Sequence, residues 1–140
     1  MKVVYHPRYL EVYASDPAAK AGRIESILRE VSPHYELVTP EPASVEDVKL
    51  AHTEWHISEI KSMSHVYKVA LLAAGGAIKA AELAMSGEPA FGLIRPPGHH
   101  ASPGSCWGFC FFNNMAISIA KLRKEGKIKQ AVLLRQRSLR

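Results

Sequence analysis

The sequence predicts an α/β fold in which a parallel sheet carries helices on both faces. Two observations predict it: short apolar segments of strand length alternate with longer segments whose apolar residues recur at helical spacing, and proline and glycine separate the two kinds. The 140 residues fit one domain, and an apolar fraction of 47% with 22% charged residues is ordinary for a globular protein. We therefore expect an ordered chain with a packed core and no internal repeat.

The bounds of the predicted elements follow from residues that end strands or cap helices. In order along the chain, we predict strand 2–5, helix 17–31, strand 35–38, a short helix 44–50, mixed helix and connection 52–64, helix 66–85, strand 90–94, helix 112–124 and strand 128–134. Pro7 stops the first strand, and Asp16 is a plausible N-cap with Pro17 at the first helical position. Ser44 and Asp47 have the spacing of a capping box.

The second half contains the longest helical signal. Gly75 and Gly76 lie inside it and cost about 1 kcal/mol each relative to alanine, so we expect close packing against a neighbouring element there. The apolar strand that follows ends in a proline- and glycine-rich loop, 95–108. In parallel sheets, function gathers in the loops that leave the carboxyl ends of strands, and this loop is one of them.

Composition limits the classes of partner. The net charge of +5 is concentrated in the last twenty residues, at Lys121, Arg123, Lys124, Lys127, Lys129, Arg135, Arg137 and Arg140. A solvated helix face with a basic tail is preferred over a nucleic-acid surface, because no aromatic residues interleave with the charges. No apolar run approaches the roughly 20 residues of a membrane span, and no leader segment is apparent. The two cysteines form no disulfide framework, so we expect a reduced, cytoplasmic protein.

The segment Arg95-Pro96-Pro97-Gly98-His99-His100-Ala101 carries the strongest chemical signal. Its two prolines stiffen the exit from the strand, and Gly98 is expected to adopt a backbone conformation that other residues avoid. Imidazoles ordinarily titrate near neutral pH, so His99 and His100 could share general base and general acid duties. The alternative is that both side chains merely cap backbone groups of the loop.

Together with Gly108-Phe109-Cys110-Phe111-Phe112-Asn113-Asn114, this segment resembles the active-site loop of the histone deacetylase and acetylpolyamine amidohydrolase superfamily. Weaker similarity extends to residues 4–7, the Arg23 region, His52 and the glycine pair of the long helix. On this basis residues 1–134 are identified as the N-terminal part of a deacetylase-like domain with the arginase/deacetylase fold. Residues 135–140 are a basic tail of unclear origin.

The resemblance implies a zinc-dependent deacetylase that acts on acetyl-lysine or an acetylated polyamine. It implies that the catalytic residues His99 and His100 contact the zinc-bound water and the developing oxyanion. Gly108 would offer its carbonyl to the substrate amide, and Phe109 would form a wall of the acyl channel. Cys110 would lie near the metal without ligating it.

The zinc ligands that the family places after strand 128–134, in an Asp-x-Asp or Asp-x-His pattern followed by His, have no counterpart. No Asp, Glu, His or Cys follows Glu125. We therefore expect a truncated or frameshifted, inactive chain without its own zinc. His52 and His56, four residues apart, could bind a metal, but surface or supporting roles are favoured, and thiol ligation by Cys106 and Cys110 is less favoured still.

An incomplete sheet would expose an unpaired edge and apolar surface, which predicts self-association into a dimer or larger oligomer. The alternative function is accordingly a non-catalytic oligomeric remnant or interaction module. A basic nucleic-acid binder rests on the tail alone and is the weakest hypothesis.

Overall fold

The computed structural model describes residues 1–134, so the predicted basic tail 135–140 lies outside the described residues. Its strands are β1 (Lys2–Val4), β2 (Glu36–Val38) and β3 (Ala90–Gly92), and its helices are α1 (Arg23–Val31), α2 (Val45–Val48), α3 (Glu54–Ser62), α4 (Ser64–Met85) and α5 (Asn114–Lys124). Two short 3-10 helices cover Pro7–Leu10 and Pro17–Ala19. No helix in the described part combines the length and apolar character needed to cross a bilayer.

The three strands form one parallel sheet in the order β2-β1-β3. In register, Val3 pairs with Leu37 on one side and with Phe91 on the other. Val3 and Val4 of the central strand are completely buried, as expected for a strand that is covered on both faces. The predicted parallel α/β architecture is confirmed.

Helix α4 is the main packing element, in contact with β1, β3, α3 and α5. A Cβ on Gly75 would overlap the carbonyl oxygen of Glu41 and lie 2.8 Å from the backbone nitrogen of Ala43. A Cβ on Gly76 would overlap the hydroxyl of Tyr9. The close approach predicted for the two glycines is therefore confirmed. It lets α4 pack against the backbone of residues 41–43 and the side chain of Tyr9.

The capping box predicted at Ser44 and Asp47 is also confirmed. The Ser44 hydroxyl accepts a hydrogen bond from the Asp47 N–H at 3.1 Å, and the Asp47 carboxylate accepts one from the Ser44 N–H at 3.2 Å. Asp47 also forms an ion pair of 2.7 Å with Lys121, which ties α2 to α5. Burial alone would raise the pKa of Asp47, but the hydrogen bonds from Lys121 and Ser44 hold it below its usual value.

The helix predicted over 17–31 is wrong in its first turn. The structure has a 3-10 helix at Pro17–Ala19, where the Asp16 carbonyl accepts from the Ala19 N–H, and α1 begins only after Gly22. Gly22 has a φ of 89°, and its N–H donates to the Glu25 side chain at 2.9 Å. This left-handed glycine interrupts the helical path, so Asp16 does not cap α1.

The strand predicted over 128–134 is not formed. Those residues join no sheet in the described structure, and Val132 and Leu134 are 85% and 93% exposed. Apolar content indicates a need for burial, whereas a strand also needs a hydrogen-bonding partner in register. The segment does not pair with β3, so both edge strands of the described sheet, β2 and β3, present an unpaired side.

Candidate functional site

The loop with the histidine pair leaves the carboxyl end of β3 and is anchored at once by Arg95. The Arg95 guanidinium is buried and donates hydrogen bonds to the carbonyls of Tyr9 at 2.9 Å, Lys20 at 2.9 Å and Glu11 at 3.2 Å. It also lies 5.7 Å from the centroid of the Tyr13 ring. Sequence reasoning missed this anchor, although a single charge at the end of an apolar strand was a usable signal.

Gly98 lies against the second sequence motif. A Cβ on Gly98 would overlap the carbonyl oxygen of Phe112 and lie 2.7 Å from the backbone nitrogen of Asn114. Its φ is not in the left-handed region, so the predicted unusual backbone conformation is wrong. Glycine is required there because a side chain has no room, and the two motifs meet backbone to backbone.

Two asparagines join the motifs further. The Asn113 side chain donates to the carbonyl of Ala101 at 3.0 Å, and its oxygen accepts from the Ala116 N–H at 3.1 Å, which caps α5. The Asn114 side chain donates to the carbonyl of Pro96 at 3.0 Å. Asn113 and Asn114, at the start of α5, therefore fix the backbone on both sides of the histidine pair.

His99 and His100 lie side by side on the surface. Their ring centroids are 4.2 Å apart, and both residues are exposed. The His100 ring meets Trp107 edge to face at a centroid distance of 4.8 Å, and Trp107 itself is 70% exposed. The imidazole pair is thus exposed and bordered by the Trp107 ring.

The other predicted site residues follow Trp107 directly. Gly108 is exposed with a φ of 61°, in a tight turn closed by a hydrogen bond from the Cys110 N–H to the Trp107 carbonyl at 3.2 Å. Phe109 is partly buried and packs on the core, and Cys110 is 1% exposed. The contact between Trp107 and His100 therefore brings the turn 107–110 beside the histidine pair.

His52 and His56 are buried, so of the two roles predicted for them, surface or supporting, the surface role is excluded. Their residues are 5% and 0% exposed, whereas Trp55 between them is 65% exposed. The His52 Nε2 accepts from the Asn113 N–H at 2.9 Å, and the His56 Nε2 donates to the Phe111 carbonyl at 2.8 Å. The two rings support the second motif from inside the protein, the other role that their sequence spacing left open.

The donors in the described part do not fit a zinc ion. Within residues 1–134, no three His, Cys, Asp or Glu side chains gather in a group that could hold a metal. Catalytic zinc takes three protein ligands. Burial, followed by the charge of Glu59, raises the pKa of the Cys106 thiol and so disfavours the thiolate that binds metals.

Comparison with known proteins identifies the family of the chain. A family model described as the histone deacetylase domain matches residues 16–134. A probable deacetylase of Archaeoglobus fulgidus is 35% identical over 161 residues, covering 94% of this chain and 43% of the relative. A histone deacetylase-like amidohydrolase of Pseudomonas aeruginosa is 30% identical, covering 87% of this chain and 37% of the relative.

The fold is also similar to that of a solved structure. The crystal structure of the HDA15 HD domain superposes with a TM-score of 0.79 at 24% identity, covering 89% of this chain and 43% of that one. The chain thus spans less than half the length of these relatives. Because the family match extends over most of its residues, the chain belongs to the histone deacetylase family.

Proposed function

We propose that this chain contributes the histidine-bearing part of a zinc-dependent amide hydrolase site that removes acetyl groups from acetyl-lysine or an acetylated polyamine. The observation that carries the proposal is the exposed pair His99 and His100, with ring centroids 4.2 Å apart on a loop at the carboxyl end of β3. Family membership and the names of the relatives support the same reaction class.

The arrangement suits the proton transfers of amide hydrolysis. That reaction needs a base to take a proton from the attacking water and an acid to protonate the leaving amine. Adjacent imidazoles can divide these tasks, and Arg95 and Gly98 hold them in place. We assign to the Gly108 carbonyl a hydrogen bond with the substrate amide, to Phe109 contact with the acyl-bearing stem, and to Cys110 a place beside the metal.

We further propose that the zinc is held by donors that these 140 residues do not bring together, so that the chain alone is inactive. No metal-binding trio forms within residues 1–134, and the sequence has no Asp, Glu, His or Cys after Glu125.

The test uses the purified 140-residue chain and two probes, an acetyl-lysine peptide and an acetylated polyamine. We expect far less than one zinc per chain by elemental analysis and no hydrolysis with added zinc. Stoichiometric zinc with hydrolysis would contradict the inactivity but support the reaction class. Transplanting residues 1–134 into the matching part of the Pseudomonas aeruginosa amidohydrolase should give a hydrolytic enzyme.

A non-catalytic oligomeric module is the second candidate, and the open sheet supports it. The edge strands β2 and β3 each have an unpaired side, and Leu37 and Phe91 on them are 41% and 43% exposed. Unpaired edges with apolar side chains favour strand pairing between copies. We expect a dimer or larger oligomer in sedimentation at micromolar concentration, and a monomer there would refute self-association.

We also propose a reducing, cytoplasmic location, because two cysteines, Cys106 and Cys110, are too few for a disulfide framework. Alkylation of the protein in freshly lysed cells tests this location. Both thiols should be labelled after denaturation without a reductant, and a disulfide between them would contradict it.

A further inference from the structure

A pair of buried histidines lies directly behind the proposed catalytic loop. His52 immediately precedes Thr53, the N-cap of α3, and Thr53 accepts a hydrogen bond from the His56 N–H at 3.3 Å. The two imidazole centroids are 5.0 Å apart, and the Phe112 ring lies 5.4 Å from one and 6.0 Å from the other. The pair is therefore packed against the motif that supports the histidine loop.

The backbone partners of the two rings require opposite tautomers. A backbone N–H only donates, so the His52 Nε2 that faces Asn113 must be unprotonated, and neutral His52 carries its proton on Nδ1. A carbonyl only accepts, so the His56 Nε2 that faces Phe111 must be protonated. Within residues 1–134 neither Nδ1 makes a hydrogen bond of good geometry, although the carbonyls of Pro103 and Ser102 lie near His52, so the Nε2 bonds are the ones that fix the tautomers.

His56 and His52 are hydrogen-bonded to the backbone of Phe111 and Asn113, and this same segment contacts the loop that carries His99 and His100. Asn113 donates through its side chain to Ala101, and Gly98 contacts the Phe112 carbonyl and the Asn113 Cα without room for a Cβ. A displacement of residues 111–113 would therefore move both sides of the His99–His100 turn. The buried rings act on the turn through this backbone and do not touch it themselves.

We propose that His52 and His56 are positioning residues whose opposite tautomers hold residues 111–113 beneath the His99–His100 turn, and that protonation of His52 releases this hold. The effect of His52 protonation on catalysis rests on the proposed deacetylase function. The two tautomers and the loss of the Asn113 hydrogen bond do not depend on that function. A protonated His52 would point an N–H at the Asn113 N–H, so that two donors would face each other. A protonated His56 would keep its bond to the Phe111 carbonyl.

The groups around His52 determine the pH at which it becomes protonated. Burial lowers the pKa of His52, and the neighbouring His56 lowers it further, while the carbonyls of Pro103 and Ser102 oppose the shift. The carboxylate of Glu59 lies 3.9 Å from the Nδ1 of the neighbouring His56. His52 therefore remains neutral to a pH below the usual histidine value of about 6.5. The unfolded chain takes up this proton first, so the His52 contribution to stability is complete above about pH 6.5 and declines as the pH falls.

The test is imidazole and amide NMR of the ¹⁵N-labelled 140-residue chain during a pH titration. At neutral pH we expect the Nδ1–H tautomer at His52 and the Nε2–H tautomer at His56. On acidification, the Asn113 amide signal should shift with the same midpoint as His52. The proposal would be overturned if both buried rings had the same tautomer, or if the Asn113 amide signal did not shift as His52 titrates.

His52→Gln is the matched variant, because a glutamine side-chain oxygen can accept from the Asn113 N–H but does not titrate. It should keep the neutral-pH spectrum of the turn and abolish the shift of the Asn113 amide. An Asn113 titration that persists in this variant contradicts the mechanism. The wild-type titration decides the question even if His52→Gln fails to fold. Because the readout involves no hydrolysis, an absent deacetylase activity would leave this result unaffected, so the two proposals fail separately.

Discussion

Gly98→Ala tests the contact that joins the two site motifs. The added Cβ would overlap the Phe112 carbonyl oxygen and lie 2.7 Å from the Asn114 nitrogen and 3.1 Å from the Asn113 Cα. All three are backbone atoms, and that backbone is held because the Asn113 N–H donates to His52 and the Asn113 side chain donates to the Ala101 carbonyl. The strain has no flexible side chain to absorb it, so the loop itself must move.

The expected cost follows from two opposing terms. Overpacking of a close contact costs about 1–3 kcal/mol. The loss of glycine entropy in the unfolded chain returns about 0.4–1 kcal/mol. The midpoints of these two ranges differ by roughly 1.3 kcal/mol, and we expect Gly98→Ala to lower the free energy of unfolding by that amount.

Urea unfolding followed by circular dichroism measures this difference, with Gly104→Ala as the control. Gly104 lies in the same loop, and a Cβ there would meet only the Thr53 hydroxyl oxygen at 3.9 Å, an ordinary contact. The control should be neutral or slightly stabilised. A Gly98→Ala protein within about 0.5 kcal/mol of wild type, the usual range for harmless substitutions, would refute the close-contact argument.

Three further substitutions test the supports of the site and the fold by urea unfolding. Arg95→Met removes three hydrogen bonds to carbonyls, one buried and two partly buried, and should cost about 2–4 kcal/mol, so a loss below about 1 kcal/mol would argue against the anchor. Lys121→Met breaks the pair with Asp47 and should cost about 0.5–1 kcal/mol at pH 7. Because the pKa of Asp47 is lowered in the folded state, this difference should shrink as the pH falls through the acidic range, and a pH-independent difference would contradict it. Ser44→Ala removes the α2 cap and should cost about 1 kcal/mol, whereas an unchanged stability would mean that the cap is not used.

Local patterns in the sequence predict much of the fold. The strand near Val3, the capping box at Ser44 and the close packing at Gly75 all follow from signals within a few residues. The histidine pair at the end of β3 follows from the same kind of local signal. Parallel pairing follows from the alternation of elements, because each helix must return the chain to the same end of the sheet.

Long-range partners could not be predicted in this way. His52 meets Asn113 across 61 positions, and Arg95 reaches Tyr9 across 86, so nothing near either residue reveals its role. The glycine at position 98 was expected for its backbone angle, but the reason is a contact with another loop. The strand predicted over 128–134 failed for the same reason, since strand formation depends on a partner and not on apolar content alone.

The most direct test of the central claim is the hydrolysis rate of the transplanted enzyme, in which residues 1–134 replace the matching part of the Pseudomonas aeruginosa amidohydrolase. If His99 and His100 transfer the protons, substituting either one with alanine should lower kcat by a factor of roughly 10² or more, the usual contribution of general acid–base catalysis, and leave the zinc content unchanged. A folded, zinc-loaded chimera that hydrolyses the acetyl-lysine probe equally well with and without the two imidazoles would contradict the account.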